Sequence, residues 1–355
     1  MKNLKIFKNK RILITGHTGF KGSWLSLWFK SLGAEVLGIS KDIPTNPSHF
    51  KLINLEKKMK NKFFDITNLR KLKKTFINYK PDYVFHLAAQ SLVKKSYEDP
   101  LLTYQTNTIG TLNVMECLRS LTNDCIAIII TSDKSYKNLE IKRGYREEDI
   151  LGGIDPYSSS KASAELIIQT YFNSYLIKKK NIKVGVARAG NVVGGGDWSK
   201  DRLIPDCMKS WSKNKKVLIR SPNSTRPWQH VLDALYGYIT LSLYLKKNNR
   251  LNGNVFNFGP SLNANFKVID VLNLAKKSWN KVFWRIIKDK KIVYESNLLK
   301  LNSSKAKSIL KWSCNLNFKE TIYFVTDWYK YYYINNKNMY DFSLKQIDSY
   351  CKKIR

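Results

Sequence analysis

Arg11-Ile12-Leu13-Ile14-Thr15-Gly16-His17-Thr18-Gly19-Phe20-Lys21-Gly22-Ser23-Trp24-Leu25 decides the fold. A short apolar, β-branched run that stops at a glycine is the signature of a buried parallel strand. Beyond Gly22, the residues Trp24, Leu25, Leu27, Trp28 and Leu32 give a helix an apolar face. Three glycines join the two elements. Such a turn brings an anion close to the backbone at a helix N-terminus, where unpaired N–H groups and the helix dipole favour negative charge. The turn therefore reads as a cradle for a dinucleotide pyrophosphate, with Gly16, Thr18, Gly19, Phe20, Lys21 and Gly22 as its residues.

Working outward, further strands are predicted at residues 34–39, 62–66, 83–89, 126–131 and 184–189, with helices over 22–32, 102–121 and 157–175. Alternation of this kind implies an α/β fold with a doubly wound parallel sheet of the Rossmann type. Asp65 and Ile66 follow the third strand and are placed for the adenine. Leu87, Ala88 and Ala89 close the fourth strand at the carboxyl edge, where such sheets bind ligands; Gln90 beside them is a candidate for substrate. The second strand ends Ile39-Ser40-Lys41-Asp42. Ser40 and Lys41 suit a 2′-phosphate, while Asp42 suits a free ribose, so NAD and NADP both stay open.

The rhythm loosens near residue 190. Helices are expected over 202–213 and 230–245, strands over 216–220 and 291–295, and a return to the main sheet at 255–258. The chain thus divides into a dinucleotide-binding core (1–190) carrying the catalytic residues, a smaller α/β substrate lobe (191–330) interleaved with it, and a basic aromatic tail (331–355).

The formal charge is +35, but lysine and asparagine are spread along the whole chain without a nucleic-acid-binding motif. The charge therefore reads as solvated surface, with no specific nucleic acid expected. Five scattered cysteines without a CxxC argue against both a disulfide framework and a metal site. No run approaches the roughly 18 apolar residues of a membrane span. No signal peptide is visible, so a cytoplasmic protein is expected.

Thr131-Ser132-Asp133-Lys134 and Tyr157-Ser158-Ser159-Ser160-Lys161 carry the chemistry. Tyr157 and Lys161 are four apart and share a helix face. A nearby ammonium and a nicotinamide charge would lower the phenol from its usual value near 10, so that it takes a hydroxyl proton as hydride leaves. Ser132 completes that hydride-transfer set. Asp133 and Lys134 add what hydride transfer alone does not need: an acid for a departing hydroxyl and a base for the carbon next to a ketone. Removing water from a sugar needs both. A charged Lys134 would hold Asp133 ionised, so the pair must exchange a proton or titrate jointly.

The glycine stretch, Pro44-Thr-Asn-Pro47, Val84-Phe-His-Leu-Ala-Ala-Gln90, Thr131-Ser-Asp-Lys134, Asp155-Pro-Tyr-Ser158, Ala187-Arg-Ala-Gly-Asn-Val-Val-Gly-Gly-Gly-Asp-Trp198, Asp201-Arg-Leu-Ile-Pro-Asp206 and Arg226-Pro-Trp-Gln-His-Val231 together resemble the CDP-glucose 4,6-dehydratases. These are sugar-nucleotide dehydratases of the extended short-chain dehydrogenase/reductase class, to which the GxxGxxG spacing also belongs. The resemblance covers about residues 5–330 and leaves the tail outside. Related dTDP-glucose enzymes carry Asp-Glu where this chain has Asp133-Lys134, and 4-epimerases generally lack the pair. The resemblance implies a lyase with bound NAD that makes CDP-4-keto-6-deoxyglucose, a deoxysugar precursor for surface polysaccharide. The implied steps are oxidation at C4, loss of water across C5 and C6, and hydride return to C6. It implies further that Asn191 lies near the sugar diphosphate and that Arg226 pairs with a phosphate, with Arg202 and Lys209 as weaker candidates. Ser135 departs from the cysteine expected in relatives.

A 4-epimerase or 4-reductase would use the same Ser132, Tyr157 and Lys161; the Asp133-Lys134 pair favours dehydration. A non-catalytic NAD-binding regulator or a nucleic-acid scaffold would show degraded catalytic residues, and none is degraded. A homodimer or homotetramer is expected. Helices 102–121 and 157–175 would form a four-helix interface using Ile109, Leu112, Met115, Leu166 and Ile167, although one face cannot serve both the interface and the sheet.

Overall fold

The computed structural model describes residues 2–200, 202–264, 266–287, 299–335 and 338–354. Six strands, β1 (Arg11–Thr15), β2 (Glu35–Ser40), β3 (Lys60–Phe63), β4 (Tyr83–His86), β5 (Cys125–Ser132) and β6 (Ile182–Ala189), join Val255–Phe258 in one sheet. The order across it is Val255–Phe258, β6, β5, β4, β1, β2, β3. All six pairings are parallel. β1 lies between β2 and β4, so the order reverses there and opens a crevice at the carboxyl ends.

Strand alternation sends side chains into two cores. Ile12, Ile14, Ile128 and Ile130 meet Trp24 and Trp28 of α1 (Phe20–Ser31) and Leu235 and Ile239 of the helix Val231–Lys247. Leu13, Ala127 and Ile129 face the other way, with Val114 and Leu118 of the helix Gly110–Ser120 and Ile168 of the helix Pro156–Tyr171. Both faces are covered, which is why these strands read as unbroken apolar runs.

The sequence reading is corrected in four places. The third strand is Lys60–Phe63 rather than 62–66. It is an exposed edge strand without an apolar run, and Asp65 and Ile66 lie in the turn beyond it. The helix expected over 102–121 is three pieces: Pro100–Tyr104, a wide turn Gln105–Ile109 and Gly110–Ser120. Met115 is fully buried against the sheet and leaves the set of interface candidates. The tail is not an appendage. Phe318–Asn335 crosses the expected boundary at 330, and Met339–Cys351 packs on α1 through Trp28 and Tyr350, with ring centroids 5.7 Å apart. The buried hydroxyl of Tyr350 donates to Asp233 Oδ1 at 2.8 Å. The expected strand at 291–295 lies outside the described residues, as does Asp201.

Candidate active site

At Gly16 the backbone turns with φ +75°, and a Cβ there would sit 2.7 Å from Ala88 N. A Cβ on Gly22 would lie 2.0 Å from the Gly16 carbonyl oxygen. Glycine is therefore required at both, and the first turn of α1 can press against the end of β1. Gly19 is the N-cap of α1 and offers no side-chain cap, so the amide ends of the helix face the crevice without an internal acceptor. Thr18 is buried, and its Oγ1 donates to the Asp42 carbonyl at 2.6 Å. His86 ties the floor together: Nδ1 lies 2.7 Å from Thr15 Oγ1 and Nε2 lies 3.1 Å from Thr111 Oγ1. Burial lowers the pKa of His86 to about 3 and that of His17 to about 4.

The end of the second strand resolves one alternative. Ser40 Oγ is buried, 2.9 Å from His17 Nδ1, and accepts from the Thr18 amide at 3.3 Å. Lys41 is paired with Asp65 at 3.2 Å. Burial pushes the Asp65 carboxyl up, but hydrogen bonds from Thr67 and the charge of Lys41 outweigh it and hold it below its ordinary value. Both groups that suited a 2′-phosphate are already engaged. Asn113 Nδ2 donates to the Ile66 carbonyl at 3.0 Å and fixes that turn.

The turn carrying Ser132, Asp133 and Lys134 follows from β5. Its eight residues are buried throughout and deliver Ser132 to the carboxyl edge. There the chain enters a short 3₁₀ turn, Asp133–Ser135. Ser132 Oγ donates to Asp133 Oδ1 at 2.9 Å and accepts from the Lys134 amide at 3.2 Å. The helix Pro156–Tyr171 begins beside it for local reasons. Asp155 Oδ1 accepts from the Ser158 amide at 2.9 Å, and Pro156 takes the first helical position. Tyr157 and Lys161 thus sit in the first turns on one buried face.

Burial raises the Tyr157 phenol to about 12, although a hydrogen bond with Ser132 pulls it down and Asp133 pushes it up. Burial lowers Lys161 to about 8, against the opposing charge of Glu165; its ammonium donates to the Ile130 carbonyl at 3.3 Å. The expected lowering of the phenol by Lys161 is thus not what dominates here, because dehydration of a buried phenolate is the larger effect. Asp133 is raised by burial, against the charge of Lys134 and the hydrogen bond from Ser132. Lys21 falls to about 8 through burial and through repulsion by Arg202 and Lys161. Three cations crowd one crevice, an arrangement that suits phosphate-bearing ligands.

The remaining candidates are less uniform. Gln90 reaches the edge, but Nε2 donates to the Leu92 carbonyl and to Thr103 Oγ1, each at 3.0 Å, and Oε1 accepts from the Leu92 amide at 2.7 Å. Its side chain is spent on holding its own loop. Arg202 pairs with buried Asp197 at 2.8 Å and acts electrostatically on Lys21 and Tyr157. Asn191 is exposed just past β6. Arg226 lies in a two-residue strand paired with Phe266–Lys267, and Nη1 donates to the Thr225 carbonyl at 2.9 Å. Lys209 is exposed on the helix Leu203–Ser212, with no hydrogen bond or ion pair among the described residues joining its side chain to the crevice.

Two supporting groups escaped the sequence reading. Asn107, in the wide turn, accepts from the Gln90 amide at 2.8 Å and donates to Ser160 Oγ at 2.9 Å, tying β4 to the catalytic helix. Its surroundings, Gln105-Thr106-Asn107-Thr108, are polar throughout and gave no signal that singled it out. The second group is Glu165 with Arg188, joined at 2.6 Å and each 1% exposed. Glu165 stands four residues beyond Lys161, a spacing visible in the sequence, but its partner lies on β6.

Residues 13–324 match the family described as GDP-mannose 4,6 dehydratase. This chain belongs to that family. Within it, a CDP-glucose 4,6-dehydratase of Salmonella typhimurium is 40% identical over 354 residues, covering 99% of this chain and 98% of that protein. The alignment with that protein therefore reaches past residue 330, whereas the family match ends at residue 324. Among solved structures, an epimerase from Methanothermobacter thermautotrophicus aligns with a TM-score of 0.79 at 21% identity over 97% of each chain. A dTDP-glucose 4,6-dehydratase from Bacillus anthracis in complex with NAD aligns at 0.73 and 21% identity, over 90% of this chain and 96% of that one. Both share the fold. No described helix is long and apolar enough to cross a membrane, and the described residues hold no cluster of three or more potential metal ligands.

Proposed function

We propose that the protein is an NAD-dependent CDP-glucose 4,6-dehydratase, a lyase whose product is CDP-4-keto-6-deoxyglucose. One observation carries this: the Ser132-Asp133-Lys134 turn meets buried Tyr157 above the glycine cradle, in a chain 40% identical to a CDP-glucose 4,6-dehydratase. The turn fits the cofactor, because glycine at positions 16 and 22 lets α1 start hard against the end of β1, and α1 starts without a side-chain cap. The engagement of Ser40 and Lys41 favours NAD over NADP. When bound, NAD takes the hydride from C4 and returns it at C6.

The chain's own groups do the rest. Tyr157 receives the C4 hydroxyl proton while Ser132 holds that oxygen. The charge of Arg202 opposes the effect of burial on that phenol, and Lys161 is buried one turn along the same helix face. With C4 a ketone, the C5 proton is acidic, and Lys134 removes it. Asp133, whose carboxyl burial raises above its ordinary value, gives its proton to the C6 hydroxyl, which leaves as water. The turn geometry puts acid and base on adjacent residues, so the proton gained by one can restore the other. Arg226 and Arg202 would hold the diphosphate, with Asn191 beside it.

Exposed Leu101, Tyr104, Ile109 and Leu166 support a homodimer through the helices that flank the site, with a homotetramer as its doubling. A nucleotide-sugar substrate supports a cytoplasmic site of action. The function is tested with CDP-, dTDP-, UDP- and GDP-glucose and NAD, following 4-keto product. CDP-glucose should be preferred, with loss of the C6 oxygen. A product that keeps that oxygen would make the protein an epimerase or reductase.

A further inference from the structure

The catalytic turn and the catalytic helix come from distant parts of the chain, and something must fix the distance between them. Tyr157, Lys161 and Glu165 follow one another at four-residue steps, so all three line the same buried helix face. Glu165 is 1% exposed and points at neither solvent nor the crevice mouth. Its Oε1 accepts from Thr131 Oγ1 at 2.6 Å, from Arg188 Nε at 2.7 Å and from Ser135 Oγ at 3.2 Å. Its Oε2 accepts from Arg188 Nη2 at 2.6 Å. Thr131 and Ser135 are the residues immediately before and after Ser132-Asp133-Lys134. Ser135 Oγ is also 2.6 Å from the Ser132 carbonyl. One carboxylate thus grips both ends of the turn.

Arg188 completes the frame. It sits beside Thr131 in the β5–β6 register. Its Nη1 donates to Tyr136 Oη at 2.6 Å and to the Glu147 carbonyl at 3.1 Å. Tyr136 Oη donates in turn to Asn257 Oδ1 at 2.8 Å, on the Val255–Phe258 strand. A buried ion pair is weak evidence for stability, because desolvation offsets its attraction. A fully satisfied buried network does specify one arrangement. A displacement of the turn by about 1 Å would cost on the order of 10²-fold in rate.

We propose that Glu165 is a positioning residue for the dehydration: by binding Thr131 and Ser135 it sets the reach of Ser132, Asp133 and Lys134 toward Tyr157 and the sugar. This rests on the function proposed above. Glu165 touches no substrate; its effect passes through the turn. The Glu165 charge also opposes the lowering of Lys161 by burial, which supports the same assignment.

The test cuts the grip while leaving the Arg188–Glu165 pair whole. Thr131→Val with Ser135→Ala is compared with Thr131→Ser, each assayed for kcat and KM on CDP-glucose with saturating NAD, beside thermal unfolding. The double variant should lose at least about thirtyfold in kcat with KM within about twofold, and its NAD affinity should hold. Thr131→Ser, which restores the hydroxyl, should recover most of kcat. If the double variant does not fold, Ser135→Ala alone is read, with an expected loss of about fivefold in kcat and none in KM. A double variant within about twofold of wild type in kcat, or one whose kcat falls only in step with its thermal stability, overturns the positioning role. A wild-type enzyme inert on all four nucleotide sugars overturns the function, and the proposal with it. An active wild type matched by the variants overturns the proposal alone.

Discussion

The two walls of the crevice are built on opposite terms. The cofactor wall, from β1 into α1, is shaped by what is missing: Cβ atoms at Gly16 and Gly22 would strike backbone at 2.7 and 2.0 Å. The catalytic wall, from β5 and the helix Pro156–Tyr171, is shaped by what is present: a carboxylate with a guanidinium and two hydroxyls each within 3.2 Å of it. A wall made of backbone tolerates no added atom at its glycines. A wall made of side chains depends on groups supplied by three separate strands and a helix.

Substitutions can break this contrast, and the largest effect is expected at the catalytic wall. Tyr157→Phe removes one oxygen and should cut turnover of CDP-glucose by about 10³-fold with the fold intact. Stopped-flow absorbance of reduced nicotinamide checks it, and near-normal hydride transfer would remove Tyr157 from the chemistry. At the cofactor wall, Gly22→Ala should cost about 3 kcal/mol or more of stability, through overpacking, and weaken NAD binding together with it. Urea unfolding and NAD titration read the two. A stable variant that binds NAD normally would mean the turn yields more than its contacts suggest.

Lys134→Met should separate the two halves of the reaction. Dehydration should fall by about 10²-fold, while C4 oxidation falls less, because Ser132, Tyr157 and Lys161 are untouched. Reduced cofactor should then accumulate in a single turnover, and C5 exchange with heavy water should drop. Normal exchange would assign the pair to orienting the sugar.

The smallest effect sharpens the contrast through pH. His17 and His86 under the cofactor wall have folded pKa values of about 4 and 3, below an unfolded value of about 6.5. Protons therefore prefer the unfolded chain. Stability should be full above about pH 6.5 and fall as pH drops from there toward 4, by on the order of 1 kcal/mol per histidine per pH unit. Lys161 in the catalytic wall is lowered to about 8, against about 10.4 when unfolded, so its influence runs from about pH 8 to 10, where rising pH should add stability. Urea midpoints across pH 5–10 should show both limbs. His86→Asn should flatten only the acid limb.

What the sequence disclosed follows the same division. The turn at Gly16, the strands around it and the spacing of Tyr157 from Lys161 are local patterns, and each survived. β3 was displaced because an exposed edge strand has no apolar run to mark it. Met115 was misassigned because an apolar helix residue does not say which neighbour it faces. Gln90 looked available until its amide was found bound to Leu92 and Thr103. Glu165 was legible as the next residue on the Tyr157–Lys161 face, but Arg188 and Thr131 reach it only through tertiary folding. The wide turn at Asn107 was hidden because nothing in the residue pattern distinguishes it from an ordinary helix.

The helix Met339–Cys351 lies on α1, and the contact between His49 and Ser343 spans 294 residues of chain. During synthesis, then, the first helix of the cofactor wall leaves the ribosome long before the element that roofs it. Trp28 lacks its Tyr350 contact until the last helix has been made. Long-range closure of this kind slows folding and exposes a nascent apolar face to whatever binds such faces. The outer face of α1 is thus closed by a segment far along the chain from the glycine turn it supports.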